Sequence, residues 1–262
     1  DEVELDQNGE LLYALKHYVL WTGDFEIVSK NWNKIVVIAE FPLKEIFRHK
    51  PSGMLFNRRE YWERHKAFGI EKGMELIYQV YVSIGLFAAA SLAWMVSKKK
   101  EAARWEKEAK KIKYAVLEHP DFALLDNRGF IKRRGIDGKT QETITPGNEA
   151  QLPEGSPLTL AGDHFLNPDT SAALPIGLGF VPPDSPVAAA TMDHLELLWN
   201  QQWTGGGYGR YHASSEPDSA GSWPFASLFI ARASMEIGDY DNVWRILKWL
   251  NTIPGAVLWF LV

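Results

Sequence analysis

Cysteine is absent from this chain of 262 residues. Its absence excludes disulfides, thiolate metal ligands and cysteine nucleophiles, and it leaves the compartment open. We favour a periplasmic or extracellular location over a cytoplasmic one. An excess of positive charge is lacking too, because the net charge is -5 and the basic run from Ile131 to Arg134 is short. Phosphate backbones require a basic face, so we predict no nucleic-acid partner.

Familiar signatures of nucleotide binding, serine hydrolysis and metal ligation are also missing. The sequence holds no G-x-x-x-x-G-K-[ST], G-x-G-x-x-G or G-x-S-x-G pattern. Its seven histidines are scattered, without an H-x-x-x-H or H-E-x-x-H pair. We therefore predict neither a cofactor nor a metal site.

Strand-like alternation is nearly absent, whereas apolar residues recur at helical spacing through most of the chain. This pattern predicts an all-α fold of about eight helices arranged as αα-hairpins. One of these helices is expected to start at Asp24 as its N-cap, with Pro42 kinking or ending it. The pairs Gly23-Asp24 and Gly238-Asp239 each predict a joint between two helices, with a glycine C-cap and an aspartate N-cap. The helical pattern lapses over about 119–166, which predicts a long loop.

Charged residues are missing from Ile77 to Ser97, a stretch long enough to cross a membrane and followed by three lysines. The stretch also contains Gln79, Gly85 and several serines and alanines, so its hydrophobicity is modest. We therefore predict a helix from about Gly73 to Val96 that is buried among other helices, and no membrane span. The next helix, Lys98 to about Glu118, is predicted to turn an apolar stripe inward. That stripe consists of Ala102, Trp105, Ala109, Ile112 and Ala115.

Aromatic residues are plentiful, with 11 Trp, 9 Tyr and 13 Phe. Most are expected in the core, as in any globular protein. The load is nevertheless heavier than a core of this size needs, and indole faces stack well on the C–H faces of sugar rings. This composition favours a carbohydrate ligand.

Two distant segments contain residue types that suit cleavage of a glycosidic bond. Residues Glu60 to Arg64 read E-Y-W-E-R, and residues Gly209 to His212 read G-R-Y-H with Trp223 further on. A carboxylic acid beside a large indole, as in Trp62-Glu63, is in an environment that raises its pKa. Protonation of a glycosidic oxygen near neutral pH requires such an acid. Together the two segments resemble inverting glucoamylase-type glycoside hydrolases, and the resemblance implies that Glu63, Arg210 and Trp223 converge on one site.

The resemblance implies a role for each matching residue. Glu63 would be the general acid, and Arg210 would grip the sugar at the cleavage point with its planar guanidinium. Arg64 stands where many relatives carry a second acid, which implies altered substrate specificity. The substrate-binding residues implied around these positions are Trp62, Arg64, Arg210, Tyr211, His212 and Trp223. Two other interpretations stay open: Glu63 in a local ion pair on the surface, and Arg210 in a salt bridge that fixes its loop.

The segment Asp6-Gln7-Asn8-Gly9 is similar to a Q-N-D-G segment that places an aspartate on the sugar hydroxyls in this family. This chain lacks the intervening aspartate, so Gln7, Asn8 or Asp6 would take its place. The same residues are equally good as a helix cap.

An inverting mechanism also needs a carboxylate that activates water. In the family this general base follows the last hairpin. The chain ends there, so the base would lie beyond Val262, with Glu216 and Asp218 as the alternatives. Both termini look cut, and we expect a fragment.

The resemblance thus implies one domain over 1–262, an incomplete (α/α) six-hairpin toroid. The implied function is that of an inverting, exo-acting glycoside hydrolase with an α-linked oligosaccharide, polysaccharide or glycoconjugate as substrate. The alternatives are a catalytically inactive sugar-binding or regulatory module and a helical interaction scaffold.

Overall fold

The protein is mostly helical, which confirms the predicted all-α class. The computed structural model describes residues 3–62, 64–146, 164–200, 205–212 and 221–253. Within these ranges the chain forms nine α-helices and six short strands. The helices are α1 (Asp6–Thr22), α2 (Glu26–Lys30), α3 (Trp32–Glu40), α4 (Leu76–Met95), α5 (Lys99–Glu118), α6 (Leu174–Gly177), α7 (Pro186–Leu195), α8 (Pro224–Ile237) and α9 (Tyr240–Leu250). The strands are β1 (Gly73–Glu75), β2 (Leu125–Asp126), β3 (Gly129–Phe130), β4 (Arg133–Gly135), β5 (Thr143–Ile144) and β6 (His164–Phe165).

The chain divides into two compact units. Unit 1 comprises Asp1–His65, Glu71–Leu124 and Arg134–Lys139, and unit 2 comprises Lys66–Ile70, Leu125–Arg133 and Thr140–Val262.

In unit 1 the central helix is α4, which packs against α1 on one side and α5 on the other. It is long and apolar enough to cross a membrane by length and composition, yet 83% of its most apolar window is buried inside the protein. Such burial is typical of a core helix. The absence of a membrane span stays a prediction.

Helix α5 turns the predicted stripe into the core of unit 1, because Ala102, Trp105, Ala109, Ile112 and Ala115 are all buried. Trp105 contacts Trp32 with ring centroids 5.6 Å apart, and its Nε1 donates to Glu40 Oε1 at 2.7 Å. The indole thereby satisfies its one polar group while the rest of the ring is buried.

Helices α1 and α4 cross with almost no space between their backbones. A Cβ atom added to Gly9 would lie 2.0 Å from the carbonyl oxygen of Tyr81, and one added to Gly85 would lie 2.4 Å from Cα of Gly9. Only glycine permits this approach. The crossing places the first turns of α1 beside the residues around Tyr81.

The helix predicted from Asp24 is divided in two, and this prediction was wrong in that detail. Asn31 interrupts it with φ -109° and ψ 15°. The Asn31 side chain donates to the carbonyl of Ile27 at 2.9 Å, a local hydrogen bond that competes with helix continuation. The start and the end were predicted correctly: Asp24 Oδ1 accepts from the backbone N–H of Ile27 at 3.1 Å, and α3 stops before Pro42.

Unit 2 contains α6 to α9, with α8 packed against both α6 and α9. Gly238 takes the left-handed conformation after α8, and Asp239 caps α9 by accepting from the N–H of Asn242 at 3.1 Å. Gly23 is also left-handed after α1. The two predicted Gly-Asp joints therefore share one geometry, a glycine that ends a helix and an aspartate that accepts from the N–H three residues later.

The described parts of the predicted long loop, 119–146 and 164–166, contain no α-helix beyond the end of α5. They do contain strands that the sequence analysis did not predict. Strands β2 and β3 form a hairpin with Leu125 opposite Phe130, and β5 pairs with β6 with Ile144 opposite His164. At two or three residues each, these strands are too short for alternation to be detected.

Candidate functional site

Three of the predicted catalytic residues lie outside the described residues: Glu63, Glu216 and Asp218. The predicted convergence of Glu63 with Arg210 and Trp223 therefore stays a prediction for Glu63. The residues on both sides of Glu63 are described, as are the segment around Asp6 in unit 1 and the G-R-Y segment in unit 2.

In the Glu60–Arg64 segment the two ends are tied together. The N–H of Glu60 donates to the carbonyl of Arg64 at 3.0 Å, and Arg59 pairs with His65 across the same antiparallel bridge. Arg64 also forms a buried bidentate ion pair with Glu60, in which Nη2 donates to Oε2 at 3.1 Å. The guanidinium predicted to contact sugar thus contacts a carboxylate of its own segment.

Next to this ion pair, the rings of Tyr61 and Trp62 form an aromatic cluster beside α4. Tyr61 packs against Trp62 with ring centroids 4.7 Å apart and lies 6.3 Å from the ring of Tyr81 on α4. The hydroxyl of Tyr78 donates to the carbonyl of Glu60 at 2.9 Å, which anchors the segment on α4. Two apolar ring faces next to a helix give the kind of surface on which sugar rings stack.

The Asp6 carboxyl is buried at the start of α1, with only 7% of the residue exposed. Its Oδ1 is buried and has no hydrogen-bond partner. Burial, and next the charge of Glu10, raise the pKa of Asp6 to about 7. Burial also raises the pKa of Glu10, with a further contribution from Glu4. The effect of burial outweighs the backbone hydrogen bonds that lower the pKa of Asp6, so near neutral pH much of this carboxyl carries a proton.

The Asp6 segment and the Tyr61 segment, far apart in sequence, meet in unit 1. Burial raises the pKa of Tyr61, and the charges of Tyr81, Glu10 and Asp6 raise it further. Burial and the charge of Glu10 likewise raise the pKa of Tyr81. We call this cluster the Asp6 site. It consists of Asp6, Glu10, Tyr61, Trp62 and Tyr81.

Gln7 and Asn8, named with Asp6 as sugar contacts, have other neighbours. Gln7 is exposed, and its amide donates to Glu4. Asn8 donates from Nδ2 to the carbonyl of Ile38 at 3.1 Å, which joins α1 to α3. Of the three alternatives only Asp6 has a buried oxygen without a partner. Sequence reasoning did not assign Glu10 or Tyr81, although Glu10 lies one helical turn after Asp6 and was detectable by that spacing.

In unit 2 the G-R-Y segment and Trp223 come together as the sequence predicts. The Arg210 guanidinium carbon lies 4.6 Å from the ring centroid of Tyr211 and 4.5 Å from that of Trp223. Its Nη2 also donates to the Tyr211 hydroxyl at 2.5 Å. The backbone carbonyl of Arg210 accepts from the N–H and the hydroxyl of Thr170 at 3.0 and 2.7 Å. Arg210 is thus buried between two rings, and its loop is fixed by hydrogen bonds.

Near Arg210, Tyr211 pairs through its backbone with Asp169. Asp169 accepts from Lys132 Nζ at 2.6 Å in an ion pair with both side chains fully buried. His212 packs on Phe165 with ring centroids 5.1 Å apart. Burial lowers the pKa of His212, so the imidazole is neutral at neutral pH and can donate one hydrogen bond and accept another.

The glycines before Arg210 make close contacts. A Cβ atom on Gly207, at φ 79°, would lie 2.3 Å from the ring of Trp249, and one on Gly206 would lie 2.9 Å from the ring of Trp199. Arg245 also packs on the ring of Trp199, with its guanidinium carbon 3.9 Å from the ring centroid. Gly206 and Gly207 are therefore packed under tryptophan rings.

Among the described residues, no group of three or more His, Cys, Asp or Glu side chains is arranged to hold a metal ion. Comparisons of the chain with family models, with curated proteins and with solved structures gave no match. The resemblance to glucoamylase-type hydrolases therefore stays a prediction from the motifs.

Proposed function

We propose that the protein is an inverting glycoside hydrolase that acts from the chain end of an α-linked oligosaccharide, polysaccharide or glycoconjugate. One observation carries the proposal: the two segments that the resemblance singles out in unit 1 share the Asp6 site. There the buried Asp6 carboxyl has a pKa of about 7, and its charge adds to the effect of burial in raising the pKa of Tyr61. Tyr61 in turn packs on Trp62. Apolar rings with a few precisely placed polar groups are typical of carbohydrate sites.

In this proposal Glu63, next to Trp62, protonates the leaving oxygen, and the Asp6 site holds the sugar. Asp6 suits that task because its free Oδ1 can accept a hydrogen bond from a sugar hydroxyl, while the protonated carboxyl can donate one. Trp62 and Tyr61 offer ring faces to the apolar side of the sugar. Glu216 and Asp218 are the proposed candidates for the base that activates water.

The proposed architecture is an (α/α) six-hairpin toroid. Supporting it are the hairpins α4–α5 and α8–α9, whose helices pack against each other, and the repeated Gly-Asp joint. Each is a unit from which such a fold is built.

A second candidate function is a sugar-binding or regulatory module without catalysis. It is favoured by the internal contacts of both arginines predicted to bind sugar, since Arg64 pairs with Glu60 and Arg210 lies between Tyr211 and Trp223. A guanidinium that is occupied in this way stabilises a loop and leaves fewer donors for substrate.

The variant Glu63→Gln separates the two functions. An amide accepts and donates hydrogen bonds but delivers no proton, so we expect turnover of α-linked oligosaccharides to fall by about 10²–10⁴-fold with ligand binding nearly unchanged. Activated aryl glycosides should lose less, because their leaving groups need little protonation. Glu26→Gln is the matched control, since Glu26 is an exposed residue that pairs with Lys30.

Full activity of Glu63→Gln on natural substrates would exclude Glu63 as the general acid. A wild-type protein that binds oligosaccharides by calorimetry without releasing product would instead support the sugar-binding module.

A further inference from the structure

The Asp6 site holds two carboxyl groups, Asp6 and Glu10, without a positively charged partner among the described residues. Among the described residues, neither Asp6 nor Glu10 forms an ion pair, whereas the neighbouring Glu4 pairs with Arg59. Asp6 Oδ1 is buried and lacks a hydrogen-bond partner. A buried acceptor without a partner costs free energy, and native proteins keep few of them. This arrangement indicates that a ligand supplies the missing donor.

The surroundings of the two carboxyls favour a positively charged donor. The α1 backbone at Gly9, between Asp6 and Glu10, packs on the carbonyl of Tyr81. The ring centroid of Tyr81 lies 6.3 Å from that of Tyr61, and Trp62 packs on Tyr61. Beyond the effect of burial, the charges of both carboxyls raise the pKa of each tyrosine. The faces of Trp and Tyr rings attract ammonium groups, and sites that recognise such groups combine several rings with carboxylates. A bare metal ion fits poorly, because the described residues include no group of three or more carboxylates or imidazoles placed to ligate one.

We propose that the Asp6 site selects an amino sugar, with the ammonium group of the sugar bound by Asp6 and Glu10 and its ring packed against Tyr61 and Trp62. This inference rests on the proposed function, since it names the substrate class of the same site. It also excludes uronic acids, because a sugar carboxylate would face two carboxyls. A neutral glucose residue would satisfy Oδ1 of Asp6 but would leave the charge of the pair uncompensated.

The test compares three methyl α-glycosides that differ at one ring position: the glucosaminide with an ammonium group, the glucoside with a hydroxyl, and the N-acetylglucosaminide with an amide. Calorimetry at neutral pH should show the glucosaminide binding at least about tenfold more tightly than the glucoside, the ratio expected for a charge-assisted hydrogen bond. Titration at about pH 6, where the amine of the glucosaminide is already charged and Asp6 is largely protonated, in buffers of different ionisation enthalpy should also show proton release from Asp6 for the glucosaminide alone, because its cation favours the ionised carboxyl.

Two variants localise the effect. Asp6→Asn and Glu10→Gln should each remove most of the preference for the glucosaminide, and Asp6→Asn should also abolish the proton release. Asp193→Asn, an exposed carboxylate on α7, should retain both.

Equal or tighter binding of the neutral glucoside would overturn the amino-sugar inference and leave the proposed glycosidase in place. A preference for the glucosaminide that persists in both site variants would place the ammonium elsewhere and would overturn the assignment to Asp6 and Glu10. Absence of binding for all three glycosides would count against the carbohydrate site itself, and with it against both proposals.

Discussion

Gly9 and Gly85 touch where α1 crosses α4, so closely that a Cβ on Gly85 would lie 2.4 Å from Cα of Gly9. At the same crossing the backbone of Gly9 packs on the carbonyl of Tyr81, which would lie 2.0 Å from a Cβ atom on Gly9. Since Asp6 and Glu10 flank Gly9 on α1, this contact sets the distance between the carboxyls and the aromatic rings of the Asp6 site. The fold and the candidate site thus depend on one pair of small residues.

We predict that Gly9→Ala and Gly85→Ala each destabilise the protein severely. Insertion of one methyl group into a tight core costs about 1–3 kcal/mol, and a clash with backbone atoms, which cannot rotate away, belongs at the upper end or beyond. Urea unfolding monitored by circular dichroism measures the loss. Gly221→Ala is the control, because nothing lies within 4 Å of a Cβ there. Equal stability of all three variants would mean that α1 and α4 can separate at little cost.

The helices of unit 1 were largely predictable from the sequence because their signals are local. The stripe from Ala102 to Ala115 and the joint at Gly23-Asp24 depend on spacing and caps within a few residues. The break at Asn31 was not predicted, because the apolar pattern continues through it and a single side-chain hydrogen bond decides the outcome. The closeness of Gly9 to Gly85 depends on tertiary packing, which spacing along one helix does not reveal.

The Asp6 carboxyl should make stability depend on pH in a direction that is unusual for an acid. Its pKa rises to about 7 on folding, so the folded protein retains a proton that the unfolded chain loses near pH 4. Stability from this group is complete below about pH 4 and is lost as the pH rises to about 7. The integrated effect is on the order of 4 kcal/mol.

Near pH 4, Asp6→Asn should therefore have almost the same free energy of unfolding as the wild type. As the pH rises to about 7, the variant should become progressively more stable than the wild type. Denaturant unfolding at several pH values measures this difference, and Asp193→Asn controls for the change in net charge. Sugar binding should weaken in the same variant, so that stability and function change in opposite directions. A variant that is less stable than the wild type at pH 8 would show that the ionised carboxyl has a stabilising partner.

The site was predictable from the sequence only in part. Motif order singled out Asp6, Trp62 and Arg210, and the structure brings Arg210 to Trp223. The side-chain partners of the motif residues were not predictable. The motif implies that Arg64 binds the substrate, whereas in the structure Arg64 forms an ion pair with Glu60. Motif matching identifies which residues are present, whereas burial and neighbours decide what remains available for a ligand.

Our last prediction concerns Arg210, whose guanidinium is buried between the rings of Tyr211 and Trp223. Each cation–π contact contributes about 0.5–2 kcal/mol, so Arg210→Ala should lower the free energy of unfolding by about 1–4 kcal/mol. Arg210→Lys should recover little of this loss, because an ammonium lacks the planar face that stacks on both rings. Thermal melts beside calorimetric titration with an oligosaccharide measure stability and affinity in the same samples.

A double-mutant cycle with Trp223→Leu gives the sharper result. If Arg210 stabilises unit 2 through the indole, the two substitutions should be non-additive by about 0.5–3 kcal/mol, the range for residues in contact. The contrary outcome is equally specific. Additive losses of stability, together with an affinity that falls by about 1.5–3 kcal/mol in Arg210→Ala, would mean that the guanidinium leaves the rings and grips the sugar, as the motif implies.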